Sequence, residues 1–161
     1  MILLRMSKTA GKTIALVLAC CIMFPACAGL ETKSAEDYFE EGSLLFKKGA
    51  YDDAIKKYKK GLRRESRSAV GYNYLAIAYR GKYEQLRSLD WREKEIEAFK
   101  KALELDPNFY LPYVNLGITY YDMGNFKEAT RLLKKALEIF PEHPSRERIE
   151  QMIKAGEREG K

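Results

Sequence analysis

The sequence predicts an all-α protein, a solenoid of three stacked helix-turn-helix hairpins followed by a C-terminal capping helix. Three observations support this prediction. A pattern of large apolar and small residues occurs three times, at a basic spacing of 34 residues. Within each copy the apolar residues follow the 3.6-residue period of an α-helix. In two of the three copies a glycine separates the two helices, and in two copies a proline follows the second helix.

The first helix of each copy carries the clearest repeat. A tyrosine recurs 34 and then 41 residues further along the chain, at Tyr38, Tyr72 and Tyr113. The middle copy therefore contains seven additional residues. Four positions after each tyrosine stands a small residue that allows close helix packing: Gly42, Ala76 and Gly117. Such a hairpin cannot bury its apolar face alone, so the three copies are expected to stack on one another.

This pattern resembles the tetratricopeptide repeat family, whose unit is a 34-residue helical hairpin. Residues 110–143 match its signature at nearly every marked position, residues 35–68 match less well, and residues 69–109 match at both ends. In the middle copy Glu95 occupies a position where the family places a small alanine. The resemblance implies a TPR domain over residues 35–143 whose first helices line a concave groove that binds other proteins without catalysis.

The turns and helix ends are predicted from single residues. Gly49 and Gly124 can adopt the positive φ that commonly ends a first helix. Asn125 can accept a hydrogen bond from the start of the following helix. Asp90 and Glu93 have the spacing of a capping box, which predicts a helix beginning just after Asp90.

The seven additional residues lie between positions 81 and 90 and lengthen the middle hairpin. Seven residues make almost two helical turns, so the first helix can continue without changing its faces. We expect this hairpin to project at one edge of the solenoid. Tyr83, Leu86 and Trp91 then either contact a partner or close the small core of the longer hairpin.

A second apolar stripe on the first helices predicts a binding groove. In the third copy Val114, Ile118 and Tyr121 lie on a different face from the packing stripe. By the resemblance, this face and its equivalents form the groove. The predicted groove residues are Phe39, Ser43, Phe46, Asn73, Ile77, Arg80, Val114, Ile118 and Tyr121.

The predicted groove is mainly apolar and suits a helical or extended apolar segment of another protein. It does not resemble the clamp of lysine and asparagine with which some relatives hold a C-terminal carboxylate. Two alternatives remain open at this point. The same residues can pack against neighbouring helices or the chain's own tail, or they can be buried in a homo-oligomer.

The first 28 residues predict an export signal, because a positively charged stretch precedes the apolar run 14–24 and small residues follow it. Cleavage after Ala28 is one outcome. A second is lipidation of Cys27, or of Cys20, as in bacterial lipoproteins. A third is an uncleaved anchor, because residues 13–30 carry no charge. We expect an exported, periplasmic protein, tethered to the membrane as a lipoprotein or otherwise soluble or secreted.

No catalytic, cofactor or metal constellation stands out, so we predict neither enzymatic activity nor a cofactor. His143 is the single histidine, and all three cysteines lie in the leader, at positions 20, 21 and 27. A metal site needs several such ligands together. Outside the leader 26 basic residues face 23 acidic ones. This balance argues against nucleic-acid binding.

Three further segments complete the organisation of the chain. Residues 29–34 form a short linker. Residues 56–67 carry seven positive charges, either as a solvated outer face or as a contact for anionic lipid headgroups. Residues 144–161 predict a charged helix with a narrow apolar stripe and a frayed end. This helix either caps the solenoid or lies in its groove.

Overall fold

The computed structural model describes residues 33–160, which form seven α-helices and no strand. The helices are α1 (Ala35–Lys47), α2 (Tyr51–Arg64), α3 (Ala69–Leu86), α4 (Leu89–Leu105), α5 (Tyr110–Asp122), α6 (Phe126–Ile139) and α7 (Arg146–Glu159). The predicted leader, with Cys20 and Cys27, lies outside the described residues. Within them, no helix is both long enough and apolar enough to span a bilayer.

The helices pack as three hairpins that stack in chain order. The pairs α1 and α2, α3 and α4, and α5 and α6 form the hairpins, and α2 packs on α3 as α4 packs on α5. The first helices of the hairpins begin at Ala35, Ala69 and Tyr110, where the three copies of the sequence pattern begin. The predicted all-α solenoid is therefore confirmed.

The turns follow the predicted chemistry in the first and third hairpins. Gly49 and Gly124 both have a φ of +75°, which a residue with a Cβ adopts only under strain. Asn125 caps α6, because its side chain accepts a hydrogen bond from the backbone N–H of Glu128 at 3.4 Å. These two hairpins thus reverse direction in the same way.

The turn of the middle hairpin differs from the prediction. α3 continues to Leu86, and Arg87 then adopts a left-handed φ of 54°. α4 already begins at Leu89, after Ser88, and no side chain caps its start. The predicted capping box of Asp90 and Glu93 is wrong, because the tight turn at Arg87 places both residues inside the helix.

The additional residues of the middle copy lengthen both of its helices. α3 has 18 residues and α4 has 17, whereas the helices of the other two hairpins have 13 or 14. Each middle helix is thus longer by about one turn of 3.6 residues. The added length extends the hairpin, but both helices share it, whereas the sequence predicted almost two additional turns on the first helix alone.

Small residues let the two helices of a hairpin approach closely. A Cβ at Gly42 would lie 2.5 Å from the Tyr58 ring, and a Cβ at Gly117 would lie 2.8 Å from Leu133. Tyr58 and Leu133 are buried, with 2% and 0% exposure. Burying a side chain of this size contributes about 1.5–3 kcal/mol. The small residues of the repeat therefore make room for the large ones.

α7 caps the third hairpin. Its Ile149 and Ile153 are buried in one cluster with Leu133 and Ala136 of α6 and Val114 of α5. The helix packs mainly on α6 and also touches α5. It occupies the position that the first helix of a fourth hairpin would take, so its apolar stripe covers the open end of the stack.

Candidate partner-binding face

The first helices of the hairpins lie side by side. Phe39 of α1 and Tyr74 of α3 meet edge to face, with ring centroids 6.3 Å apart. On the other side of α3, the Asn115 side chain of α5 donates to the Asn73 side-chain oxygen at 3.5 Å. We call the surface formed by α1, α3 and α5 the first-helix face.

A groove of about 260 Å³ opens on this face between α1 and α3. It is lined by Glu36, Phe39, Glu40, Ser43, Leu44, Lys47 and Tyr74. Leu44 is 58% exposed, although the burial of a large aliphatic side chain is favourable. The groove therefore combines aromatic rings with an apolar side chain that no other part of residues 33–160 covers.

Charge varies along the groove. Glu36 and Glu40 lie in the first half of α1, and Lys47 is its last residue. Seven residues of helix separate Glu40 from Lys47, a rise of about 10 Å. The groove thus offers carboxylates at one end, an ammonium group at the other and apolar surface between them.

Three of the nine predicted groove residues are buried. Phe39 and Asn73 are each 2% exposed, and Val114 is 9% exposed. The Phe39 ring fills space left by two glycines, since a Cβ would lie 2.3 Å from the ring at Gly61 and 2.5 Å from it at Gly71. These side chains are used by the packing, which is the alternative that the sequence left open. Phe39 nevertheless lines the groove, and a role in binding stays a prediction for all three.

The predicted residues with partial exposure on this face are Ser43, Phe46, Ile77, Ile118 and Tyr121. Two of them have a structural role of their own. Phe46 packs on Tyr51, with centroids 5.4 Å apart, and Tyr121 packs on Phe126 at 5.2 Å. Tyr51 and Phe126 are the first residues of α2 and α6. Each ring pair therefore holds the two helices of its hairpin together at the turn.

Arg80 does not present a free charge to a groove. Its Nε donates to Glu95 at 2.8 Å, and its Nη2 donates to the Asn115 carbonyl oxygen at 2.7 Å and to the Thr119 hydroxyl at 2.9 Å. Only 20% of its side chain is exposed. Arg80 thus joins the second hairpin to the third, a role that its position in the repeat did not predict.

Glu95 is the centre of this polar junction and is fully buried. One of its carboxylate oxygens accepts from Arg80 and, at 2.5 Å, from the Thr119 hydroxyl. The other accepts from Arg92 at 2.8 Å. A buried carboxylate needs such partners, because it has lost its hydration. The sequence marked Glu95 as a departure from the repeat, and the arginine three residues earlier was the available signal for its partner.

The edge of the middle hairpin has a small core. Trp91 packs on Tyr79 with ring centroids 5.7 Å apart. The ammonium group of Lys82 lies 5.7 Å from the Trp91 ring centroid and donates to Asp52 of α2 at 2.9 Å. Trp91 therefore closes the core of the longer hairpin, and Lys82 ties that hairpin to the first one.

The tip of the same hairpin exposes two leucines. Leu86 is 54% exposed and Leu89 is 69% exposed. Behind them the guanidinium of Arg92 stacks 3.7 Å from the Tyr83 ring centroid. Arg92 lowers the pKa of the Tyr83 phenol, first as a hydrogen-bond donor and then through its charge. The tip thus carries two exposed leucines at a hairpin end where Arg92 is stacked on Tyr83 and ion-paired with Glu95.

The described residues hold no group of three or more His, Cys, Asp or Glu side chains that could bind a metal ion. His143 is half-buried in an aromatic cluster. Its ring lies 5.5 Å from Tyr110 and 6.0 Å from Phe140, both edge-on, and its Nδ1 accepts from the backbone N–H of Ser145. These contacts give His143 a packing role after the third hairpin.

Protein-family comparison matches two segments of this helical array, residues 86–109 and residues 111–143, and both matches are to the tetratricopeptide repeat. The chain contains TPRs. The two segments cover α4, the hairpin of α5 and α6, and the turn between α4 and α5. The predicted resemblance to TPRs is confirmed for these two segments, and the extent of the TPR domain over residues 35–143 stays a prediction.

Several curated proteins are similar to this chain in sequence. A TPR repeat-containing protein of Methanocaldococcus jannaschii is 32% identical over 66% of this chain. The Hsp70-Hsp90 organizing protein of Triticum aestivum is 28% identical over 78%, and a small glutamine-rich TPR-containing protein of Saccharomyces cerevisiae is 31% identical over 68%. The aligned segments span 18%, 21% and 30% of these three relatives.

Solved TPR structures share the fold. The Sgt2 TPR domain from Aspergillus fumigatus aligns with a TM-score of 0.65 at 21% identity and covers 77% of each chain. The TPR2B domain of yeast Sti1, solved as a complex with pHsp70, aligns with a TM-score of 0.65 at 25% identity. That alignment covers 77% of this chain and 96% of the yeast domain.

Proposed function

We propose that this chain is a non-catalytic adaptor whose first-helix face holds an apolar segment of another protein. The observation that carries the proposal is the groove between α1 and α3, with Leu44 exposed at its edge. Aromatic rings are frequent anchor points of protein interfaces, and the exposed apolar side chain beside them adds area that a partner can remove from water. The TPR2B domain of yeast Sti1, solved as a complex with pHsp70, supports the binding of another protein by a domain of this fold.

The charges of the groove specify the partner further. A segment that lies along α1 meets Glu36 and Glu40 at one end and Lys47 at the other. Opposite charges favour a basic residue near the two glutamates and an acidic residue near the lysine. We therefore expect a short apolar segment, helical or extended, with charges of opposite sign at its two ends.

In-cell photo-crosslinking tests the groove. A photoreactive residue at position 44 should capture one discrete foreign protein, whereas the same residue at position 89 should not. Leu89 is the matched control, because it is an exposed leucine of the same chain on the hairpin tip, at 69% exposure. Capture of the same protein from both positions, or of no protein from position 44, contradicts the proposal.

Binding to the captured segment provides the quantitative test. Leu44→Asp should weaken binding at least tenfold, because loss of an interface anchor costs about 2 kcal/mol and the new carboxylate would also have to leave water. Leu89→Asp should leave the affinity unchanged. Fluorescence anisotropy with the labelled segment measures both variants. Equal affinities for the two variants would place the binding site elsewhere.

We also propose that the protein acts in a bacterial cell envelope, tethered to a membrane through a lipid on Cys27. The apolar run before Cys27 and the charges before that run support this setting. Metabolic labelling with a clickable fatty acid should mark the protein, and Cys27→Ala should abolish the label. A label that persists in Cys27→Ala but is lost in Cys20→Ala assigns the lipid to Cys20, and an unlabelled wild-type protein rules out the lipoprotein.

Self-association is a second candidate function, favoured by the exposed Leu86 and Leu89. Two copies that bring these tips together would remove both leucines from water. Sedimentation equilibrium should then show a dimer that Leu89→Asp dissociates. A protein that stays monomeric at high concentration leaves the adaptor as the only candidate.

A further inference from the structure

We infer that the outer face of α2 is a docking surface for anionic phospholipid headgroups. α2 contains six basic residues and two acidic ones, and both acidic residues stand in its first turn. The positive charge is therefore concentrated on the rest of the helix. This inference does not use the groove between α1 and α3, although it builds on the proposed membrane setting.

The basic residues of α2 are largely unneutralised. Lys57 pairs with Glu41, whereas Lys59, Lys60, Arg63 and Arg64 are exposed and make no ion pair within residues 33–160. Four outward charges on two helical turns repel one another and lower the stability of the helix. Binding to a negatively charged surface would reduce this repulsion between the positive charges.

The equivalent helix of the third hairpin shows the contrast. α6 carries four basic and two acidic residues, and three of its four exposed cations are in ion pairs, whereas Lys127 makes none within residues 33–160. Arg131 bonds Glu128, Lys135 bonds Glu138, and Lys134 bonds Glu157 of α7, all within 3.0 Å. α2 thus has four exposed cations without an ion pair where α6 has one, so the unpaired positive face does not follow from the repeat.

The shape of this face suits lipid headgroups. A shallow basin of about 440 Å³ is lined by Leu45, Asp53, Lys56, Lys57, Lys59, Lys60 and Arg63. Long basic side chains can lay their methylene stems on apolar surface while their charged ends reach phosphate groups. Tyr38 lines the adjoining basin with Lys60, Arg63 and Arg64. Tyrosine is a preferred residue at the boundary between membrane and water.

The position of the face in the chain favours a membrane over an acidic protein. The uncharged stretch 13–30 ends three residues before Lys33. α1 and α2 run in opposite directions, so the start of α1 lies beside the end of α2. The Lys60 ammonium group is accordingly 6.0 Å from the Tyr38 ring centroid. Basic clusters next to a membrane-inserted segment bind anionic lipids.

Lysine footprinting of the full chain on vesicles tests the inference. Vesicles of phosphatidylglycerol and phosphatidylcholine should slow the acetylation of Lys59 and Lys60 at least fivefold relative to pure phosphatidylcholine. Lys134 and Lys135 of α6 provide the internal control and should react equally on both vesicles. High salt should remove the protection, because it screens exposed charges.

A variant supplies the second readout. Each basic residue near an anionic surface contributes about fivefold to binding, so K59Q/K60Q/R63Q should lose about 100-fold of the preference for anionic vesicles. R131Q/K134Q/K135Q on α6 is the matched control and should keep the preference for anionic vesicles. Both variants replace exposed side chains, and circular dichroism should confirm their helix content.

Three results overturn the inference: equal acetylation on both kinds of vesicle, equal lipid preference of the two variants, or protection of Lys59 and Lys60 by polyglutamate but not by vesicles. The last result would assign the face to an acidic protein. The purified chain carries no lipid in these tests, and the lysine readout responds to headgroup charge. The proposals for the lipidation of Cys27, for the groove and for this face can therefore be refuted independently of one another.

Discussion

The strongest prediction concerns Glu95, the one fully buried carboxylate among the described residues. Glu95→Ala introduces the small residue that the TPR pattern places at this position. From the repeat alone, the substitution should stabilise the protein slightly, because alanine has the higher helix propensity. The structure predicts the opposite, because two arginines depend on this carboxylate.

The size of the effect follows from the contacts of the arginines. Removing one partner of a buried ion pair typically costs about 3–5 kcal/mol. Arg92 has only 8% of its side chain exposed and would lose its carboxylate partner, whereas Arg80 is 20% exposed and keeps its bonds to Asn115 and Thr119. We therefore expect the lower end, a loss of about 3 kcal/mol. The gain in helix propensity is only about 0.3 kcal/mol and does not change the sign.

Urea unfolding at pH 7, followed by circular dichroism, measures this loss. If the free energy of unfolding falls by about 1.5 kcal/mol per molar urea, the urea concentration at the unfolding midpoint should fall by about 2 M. Glu97→Ala is the control, because Glu97 is exposed on the same helix and should shift stability by less than about 0.5 kcal/mol. Replacing both arginines by methionine in the Glu95→Ala background should restore most of the loss. A Glu95→Ala variant as stable as the wild type would refute the reasoning.

Three further predictions use the same unfolding assay. Gly117→Ala should destabilise by about 1–3 kcal/mol, because the new Cβ would lie 2.8 Å from Leu133, and in a Leu133→Ala background, where the clash is absent, the same substitution should cost clearly less. Asn125→Ala should cost about 1 kcal/mol, since the backbone N–H of Glu128 loses its cap, and an unchanged midpoint would show that the cap does not contribute. Burial raises the pKa of the Tyr58 phenol, so the folded state holds this proton more tightly than the unfolded chain does. Stability should accordingly fall as pH rises from about 10 through the folded pKa, and Tyr58→Phe should make this fall shallower than in the wild type.

The helices and their stacking were predictable because they depend on local patterns. The tyrosine and glycine spacing of α1 and α5 places apolar residues on one side of each helix, and packing of that side determines the fold. Gly124 and Asn125 could likewise be assigned from their own chemistry. Such features involve residues close in sequence, so one chain is sufficient to recognise them.

The polar junction was not predictable, because its members are far apart in sequence. Arg80, Glu95 and Thr119 lie 15 and 24 positions apart, and only the stacking of two hairpins brings them together. The groove shows the same limit. Position in the repeat assigned Phe39 to an open face, but Gly61 and Gly71 leave room that its ring fills. Which side of a ring remains accessible depends on the residues facing it.

The polar junction between the second and third hairpins also makes the repeats non-interchangeable. Arg80 and Glu95 of the second hairpin require the Asn115 carbonyl and the Thr119 hydroxyl of the next one. At the position equivalent to Thr119 the second hairpin itself has Ala78. A duplicated second hairpin stacked on the original would therefore leave a buried carboxylate short of a donor. A solenoid of identical units can gain or lose copies freely. In this chain the second hairpin must be followed by the third, so no copy can be inserted between them without loss of these hydrogen bonds.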